Sequence, residues 1–185
     1  FAAKDGLRED LLRRIGGNEL AAIQICLGYV DAQKEYAEED RDGNGVREYA
    51  QRVISSEGKR DGLAWKEADG TPGGPIGDKV AAAIAQGYTD KTKPYHGYHF
   101  RVLKRQGPAA LGGAIDYVID GKMIGGFALL AWPAAYRSSG VKTFMVSYGG
   151  VVYEKDLGPD TGKVAARIDS FNPDKTWKAT VTAPG

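Results

Sequence analysis

Cysteine occurs once in this sequence, as Cys26, so neither an intrachain disulfide nor a zinc site built from several thiolates is open to the chain. Histidine occurs twice, at His96 and His99, too few for a histidine-rich catalytic zinc centre. A surplus of one charge sign is missing too: 25 basic residues stand against 24 acidic ones, with no basic run to track a phosphate backbone, which excludes nucleic acid as a partner. No apolar stretch approaches the ~18 residues of a membrane-spanning helix. Phosphate-binding fingerprints are absent, and Ser138-Ser139-Gly140 lacks the G-x-S-x-G elbow of the serine hydrolases. The sequence opens on Phe1 rather than methionine, as expected of a processed product or a fragment, so that any signal peptide would lie upstream.

What is abundant is glycine, 26 in all, with pairs at 16–17, 73–74, 112–113, 125–126 and 149–150, the mark of many tight turns and a sheet-rich half. Ahead of that half, Leu7, Leu11, Leu12 and Ile15 recur at helical spacing until Gly16-Gly17. Asn18 is placed to cap a second, longer helix through residue 39, with Ile23, Cys26, Leu27 and Val30 on one face and Tyr29 and Tyr36 beside it. A short helix is expected around VREYAQRVIS and another over PIGDKVAAAIAQGY, where Pro75 starts it and Gly87 follows its end. From Tyr95 the runs YHGYHFRVL, FALLAW, KTFMVS and VVYEKDL read as strands. Asp120-Gly121 and Gly149-Gly150 separate such runs as hairpin turns do.

The expected fold is therefore α+β: one domain, 1–185, with a long N-terminal helix packed on an antiparallel β-meander and extra short helices. Residues 1–90 should be mainly helical, 95–157 should form the sheet, and 158–185 a tail with a short helix at DTGKVAARIDSF.

The sharpest chemistry lies in EEDRDGNGVREYAQ, residues 38–51. Calcium takes six to eight oxygen ligands at ~2.4 Å, so several oxygens must converge within a short length of chain. Asp40, Asp42 and Asn44 occupy positions one, three and five of the EF-hand pattern, Gly45 the sharp turn at six, and the Val46 carbonyl position seven. Position twelve is Gln51 instead of the closing glutamate, so the sphere must close through Glu48, Glu39 or Gln51. A plain polar turn explains the Asp, Asn and Gly residues as well. What favours a cation is crowding: Glu38, Glu39, Asp40 and Asp42 place four like charges within five residues.

Other candidates have bland readings. His96 and His99 sit three apart in a strand-like segment, an odd spacing that sends them to opposite faces. Cys26 falls on an apolar helical face and reads as a core residue. Trp65, Trp132 and Trp177, with Tyr95, Tyr98 and Tyr153, suit a binding groove or ordinary packing equally.

Three strings together, RRIGGNELAAIQICLGYVDAQKEYAEEDRDGNGVREYAQR, GKRDGLAW and the long segment PYHGYHFRVL to VVYEKDLGPDT, resemble a bacterial family catalogued as domain of unknown function 2950. The resemblance implies an exported envelope protein of Gram-negative bacteria, of which this chain is the C-terminal portion. A looser likeness in architecture is to the globular heads of type IV pilins and pseudopilins, some of which hold calcium in a loop. The hydrophobic N-terminal helix by which pilins assemble has no counterpart in this chain.

The expectation is an exported, non-enzymatic structural or binding module of the periplasm or cell surface, with a protein partner or assembly in the envelope. Calcium would be held by Asp40, Asp42, Asn44, Val46 and Glu48, with no catalytic residues. The alternatives are an envelope hydrolase acting on cell-wall material, its cleft lined by His96, Tyr98 and His99, or a subunit of an extracellular filament.

Overall fold

A computed structural model describes residues 2–77 and 97–182. The helix expected over 75–88 falls beyond Gly77 outside them, as do Tyr95 and His96.

In chain order the elements are helix α1 (Ala2–Tyr36), strands β1 (Arg52–Ile54), β2 (Gly62–Lys66), β3 (Pro72–Gly73), β4 (Tyr98–Leu103), β5 (Arg105–Gln106), β6 (Ile115–Asp116), β7 (Val118–Ile119), β8 (Lys122–Met123), β9 (Ala128–Pro133), β10 (Lys142–Ser147) and β11 (Val151–Asp156), helix α2 (Thr161–Arg167) and strand β12 (Lys178–Thr182). The class is α+β, as the sequence suggests.

Gly16-Gly17 does not divide the N-terminal region: α1 is one helix of 35 residues. Each glycine weakens a helix interior by ~1 kcal/mol relative to alanine, but a stop needs a further cause. Tertiary contacts oppose a break here. Asn18 Nδ2 donates to the Ser139 carbonyl at 2.9 Å, and Glu19 Oε1 accepts from the Val141 and Lys142 N–H groups at 3.0 and 3.1 Å. Asn18 thus binds a distant loop instead of capping a second helix. The buried stripe, Ala22, Ile25, Cys26, Tyr29, Val30, Gln33 and Tyr36, is also rotated from the expected one, since Ile23 and Leu27 are only partly covered.

The main sheet is a five-stranded antiparallel meander in the order β12-β11-β10-β9-β4. Pairing aligns Phe100 with Ala131 and Ala131 with Phe144, so Tyr98, Phe100, Val102 and Phe144 share one face. That face meets α1, which packs on β9 and β10. His99, Arg101 and Met145 belong to the opposite face, where Arg101 reaches under α2 to the Ala165 carbonyl at 2.8 Å and to that of Ile168. Cover on both sides explains why Ala128–Ala131 are all buried without alternation.

Two small hairpins, β5–β6 and β7–β8, interrupt the meander between β4 and β9. The second turns on Asp120 (φ 51°) and Gly121 (φ 78°), the left-handed pair that a two-residue hairpin demands. Three expectations are corrected. The segment VREYAQRVIS is extended rather than helical: Tyr49 N–H bonds the Met123 carbonyl, Ser55 N–H bonds that of Ala64, and β1 buries only its middle residue, Val53. The glycine- and proline-rich stretch, for which no element was expected, holds β2 and β3. The tail contributes β12 to the main sheet in addition to its short helix.

Candidate functional site

The loop after α1 is held at both ends. Gln33 is fully buried on the last turns of the helix, where its Nε2 donates to the Ala50 carbonyl at 2.7 Å and to Tyr29 Oη at 3.0 Å. Its Oε1 accepts from Ala50 N–H at 2.8 Å. One side-chain amide therefore satisfies both backbone groups of Ala50, as a neighbouring strand would. Arg41 fixes the start of the loop: its guanidinium lies 5.8 Å from the ring centroids of both Tyr36 and Trp65, and it pairs with Glu39 at 3.2 Å.

Between these anchors the loop closes on its own acids. Asp40 accepts three backbone N–H bonds, from Gly43 at 3.0 Å, Asn44 at 3.2 Å and Gly45 at 2.7 Å. Those bonds, led by that of Gly45, hold its carboxyl below the usual range. Gly43 (φ 72°) and Gly45 (φ 85°) make the turn possible by adopting the left-handed region. Asp42 accepts from Asn44 N–H at 3.2 Å and from Asn44 Nδ2 at 2.8 Å. Asn44 Oδ1 accepts from Val46 N–H at 2.8 Å, and its Nδ2 reaches Glu48 Oε1 at 3.5 Å.

Glu48 is the residue under stress. Its Oε2 is buried and has no hydrogen-bond partner among the described residues. Burial, and then the negative charge of Asp42, push its carboxyl above the ordinary value. The other two residues able to close a cation sphere are engaged elsewhere. Gln51 Nε2 donates to the Gly121 carbonyl at 2.7 Å, and Glu39 lies on Arg41.

This donor set is made of hard oxygens. Asp42 and Glu48 converge on Asn44, while Asp40 has spent three of its roughly four acceptor sites on the backbone and can offer a cation one lone pair. Accordingly, no group of three or more His, Cys, Asp or Glu side chains gathers at a point among the described residues. Asn44 now turns its amide nitrogen to the two carboxylates. To ligate an ion between them it would rotate and present Oδ1, releasing Val46 N–H. Among the described residues the loop thus brings two carboxylates, Asp42 and Glu48, to one point, short of the six to eight oxygens that calcium takes.

Beside the loop opens a cavity of about 600 Å³, lined by Tyr36, Asp42, Glu48, Tyr49, Gln51 and Arg52 together with Val53, Ile54, Asp61, Lys104 and Gly121. Burial opposes the ionisation of Asp61. The N–H and hydroxyl of Ser56, at 2.7 and 2.8 Å, overcome it and hold the carboxyl below the usual range. Tyr36 is pushed up to about 12 by burial, then by Asp42 and Glu48.

The remaining candidates do not converge. His99 stacks on Trp132 at 5.5 Å on the face away from α1. Tyr98 points to the opposite face and donates to the Lys142 carbonyl at 2.6 Å, so these two do not line a common cleft. The three tryptophans are dispersed, Trp65 against Arg41 and Arg60, Trp132 against His99 and Arg101, and Trp177 against Lys155. Cys26 is fully buried and its thiol is pushed up to about 12 by burial. Gln33, Arg41, Arg52 and Lys104 escape sequence reasoning, because nothing in local periodicity distinguishes them from solvated polar residues.

The fold and site define an α+β protein with a crowded polar loop that closes the long helix onto a small sheet. The chain belongs to the family described as Protein of unknown function (DUF2950), which it matches over residues 1–180. No curated protein and no solved structure matches it, so the likeness to pilin heads has no structural neighbour behind it.

Proposed function

We propose that this chain is a non-enzymatic structural or binding module, exported to the bacterial envelope or cell surface, whose 40–51 loop takes up calcium. The observation that carries the metal reading is Glu48, a carboxylate with one buried oxygen that has no hydrogen-bond partner among the described residues and a second carboxylate, Asp42, raising its proton affinity. A divalent cation relieves both strains at once. Asp40, Asp42, Asn44, the Val46 carbonyl and Glu48 are the proposed ligands, with Glu48 closing the sphere in place of Gln51. Export and an envelope partner rest on the family resemblance.

The test is thermal unfolding in EDTA, followed by calcium and, separately, magnesium. A ligand that binds only the folded chain at a hundredfold excess over Kd adds about 2.7 kcal/mol. A saturable rise of several degrees with calcium, lost in the Asp40→Ala/Asp42→Ala double variant, supports the reading. Melting that ignores calcium sinks it.

A further inference from the structure

Helix α1 carries its apolar stripe further than the sheet reaches. Ala22, Ile25, Tyr29, Gln33 and Tyr36 are buried, and the same three-four spacing runs back through Asn18 to Ile15, Leu11 and Leu7. Cover stops at Ile15. From Gly6 to Arg14 only Leu11 is even partly covered, while Leu7 is 72% exposed and Leu12, beside Leu11, 59%. A leucine standing singly in solvent is ordinary, but a row that continues a core stripe is the pattern of a face that another helix covers.

The charges around that row define what covers it. Glu9-Asp10-Leu11-Leu12-Arg13-Arg14 reads acid, acid, leucine, leucine, base, base. Turned end for end, the string sets bases against acids and leucines against leucines, so it complements an antiparallel copy of itself; an in-register parallel copy would set like charges together. At ~100° per residue, Asp10 and Arg14 lie on one flank of Leu7 and Leu11. A two-fold axis between Leu11 and Leu12, perpendicular to the helix, turns that flank toward its own counterpart and brings Asp10 level with Arg14 of the second copy, to within ~1.5 Å along the helix. Both are available. Arg14 makes no ion pair among the described residues, and Asp10 meets only Arg13 of its own helix, at 3.9 Å.

We infer that the exposed segment 7–14 of α1 pairs with that of a second copy of this chain, antiparallel, with Leu7, Leu11 and Leu12 at the seam and two Asp10–Arg14 ion pairs beside it. The contact is short, about ten residues on each chain, so the dimer is weak and reversible, with Kd on the order of 10–100 µM. It lies at the far end of α1 from the acidic loop and neither needs nor tests the calcium reading.

The experiment is sedimentation equilibrium of the full chain in EDTA, from about 1 to 500 µM, a range that brackets this Kd. Wild type is expected to pass reversibly from monomer to dimer. Leu7→Ser/Leu12→Ser, at two exposed positions, is expected to remain monomeric throughout, with the melting temperature of the dilute protein unchanged. Asp10→Arg and Arg14→Asp are each expected to weaken the dimer about tenfold, because each sets like charges across the axis and the symmetry counts the change twice. An equimolar mixture of those two variants restores both pairs across the axis while leaving each helix's own charges as they were. Its affinity is expected to return to within about threefold of wild type. A chain that stays monomeric overturns the inference, as does a dimer that survives the loss of both leucines. A mixture no tighter than its components overturns the antiparallel pairing.

Discussion

Glu48→Gln should change the sign of its effect on stability with the metal. In EDTA the wild-type carboxylate has a buried oxygen with no partner among the described residues and faces Asp42, and both features penalise the ionised form. An unsatisfied buried polar atom costs about 1–3 kcal/mol, but this side chain is only partly covered, so solvent screening reduces the figure to roughly 0.5–1 kcal/mol. A neutral amide of the same shape removes the repulsion, and at 2–4 °C per kcal/mol the variant should melt about 1–4 °C higher than wild type. The pH dependence follows from the raised carboxyl. The folded state holds the Glu48 proton more tightly than the unfolded state, whose ordinary value is 4.5. The stability it contributes is thus present below that value and lost as pH rises through the folded-state value, so the gap between variant and wild type should close in acid. In calcium the relation reverses, because an ionised ligand has been replaced by a neutral one. If affinity falls about a hundredfold at a calcium level that was a hundredfold over Kd, roughly 2.3 of the 2.7 kcal/mol of ligand stabilisation disappears, about 5–9 °C. Differential scanning calorimetry of both proteins in both buffers measures all four values. A shift of the same sign and size with and without calcium would refute the assignment of Glu48 to the cation.

Gln33→Leu should be strongly destabilising, by about 2–4 kcal/mol in urea unfolding, because it leaves the N–H and carbonyl of Ala50 buried without partners. Gly17→Ala should stabilise the chain by up to ~1 kcal/mol, since a Cβ there meets nothing and the helix gains propensity; a loss would show that α1 is broken at the glycine pair. Cys26 should resist a thiol reagent at pH 8 in the native protein and react only after denaturant is added, as its buried thiol, at about 12, stays protonated. Rapid native labelling would contradict the placement of α1 on the sheet.

The sheet was largely legible because each of its long strands carries branched and aromatic residues between turn pairs, and Asp120-Gly121 adopts the two positive φ angles its identity suggests. Helix boundaries were less so. At Gly16-Gly17 the deciding contacts come from Asn18 and Glu19 to residues more than 120 positions away, which no local window contains. The segment after the acidic loop carries a helical pattern, yet pairing of Ser55 with Ala64 and Tyr49 with Met123 draws it into extended structure. The loop's residue pattern picks out Asp40, Asp42, Asn44 and Glu48, and the structure adds that Asp40 serves the backbone while Glu48 faces Asp42. The cavity was invisible, since its lining comes from the loop, an edge strand and Lys104, segments that meet only after folding.

The Gln33–Ala50 clamp has a consequence for engineering. Its two bonds span 17 residues and close the segment between them into a ring whose neck is side chain to main chain. The entropy of bringing the ends together is met at the neck, within the core, and grows only slowly with the length of chain enclosed. The tip is thereby insulated: sequence outside the ring need not change when sequence inside it does. Loops of other lengths and other ligand sets could be spliced between Tyr36 and Tyr49 with the sheet left intact, provided that Arg41's place over Trp65 is filled. The protein would then serve as a scaffold for exchangeable binding loops.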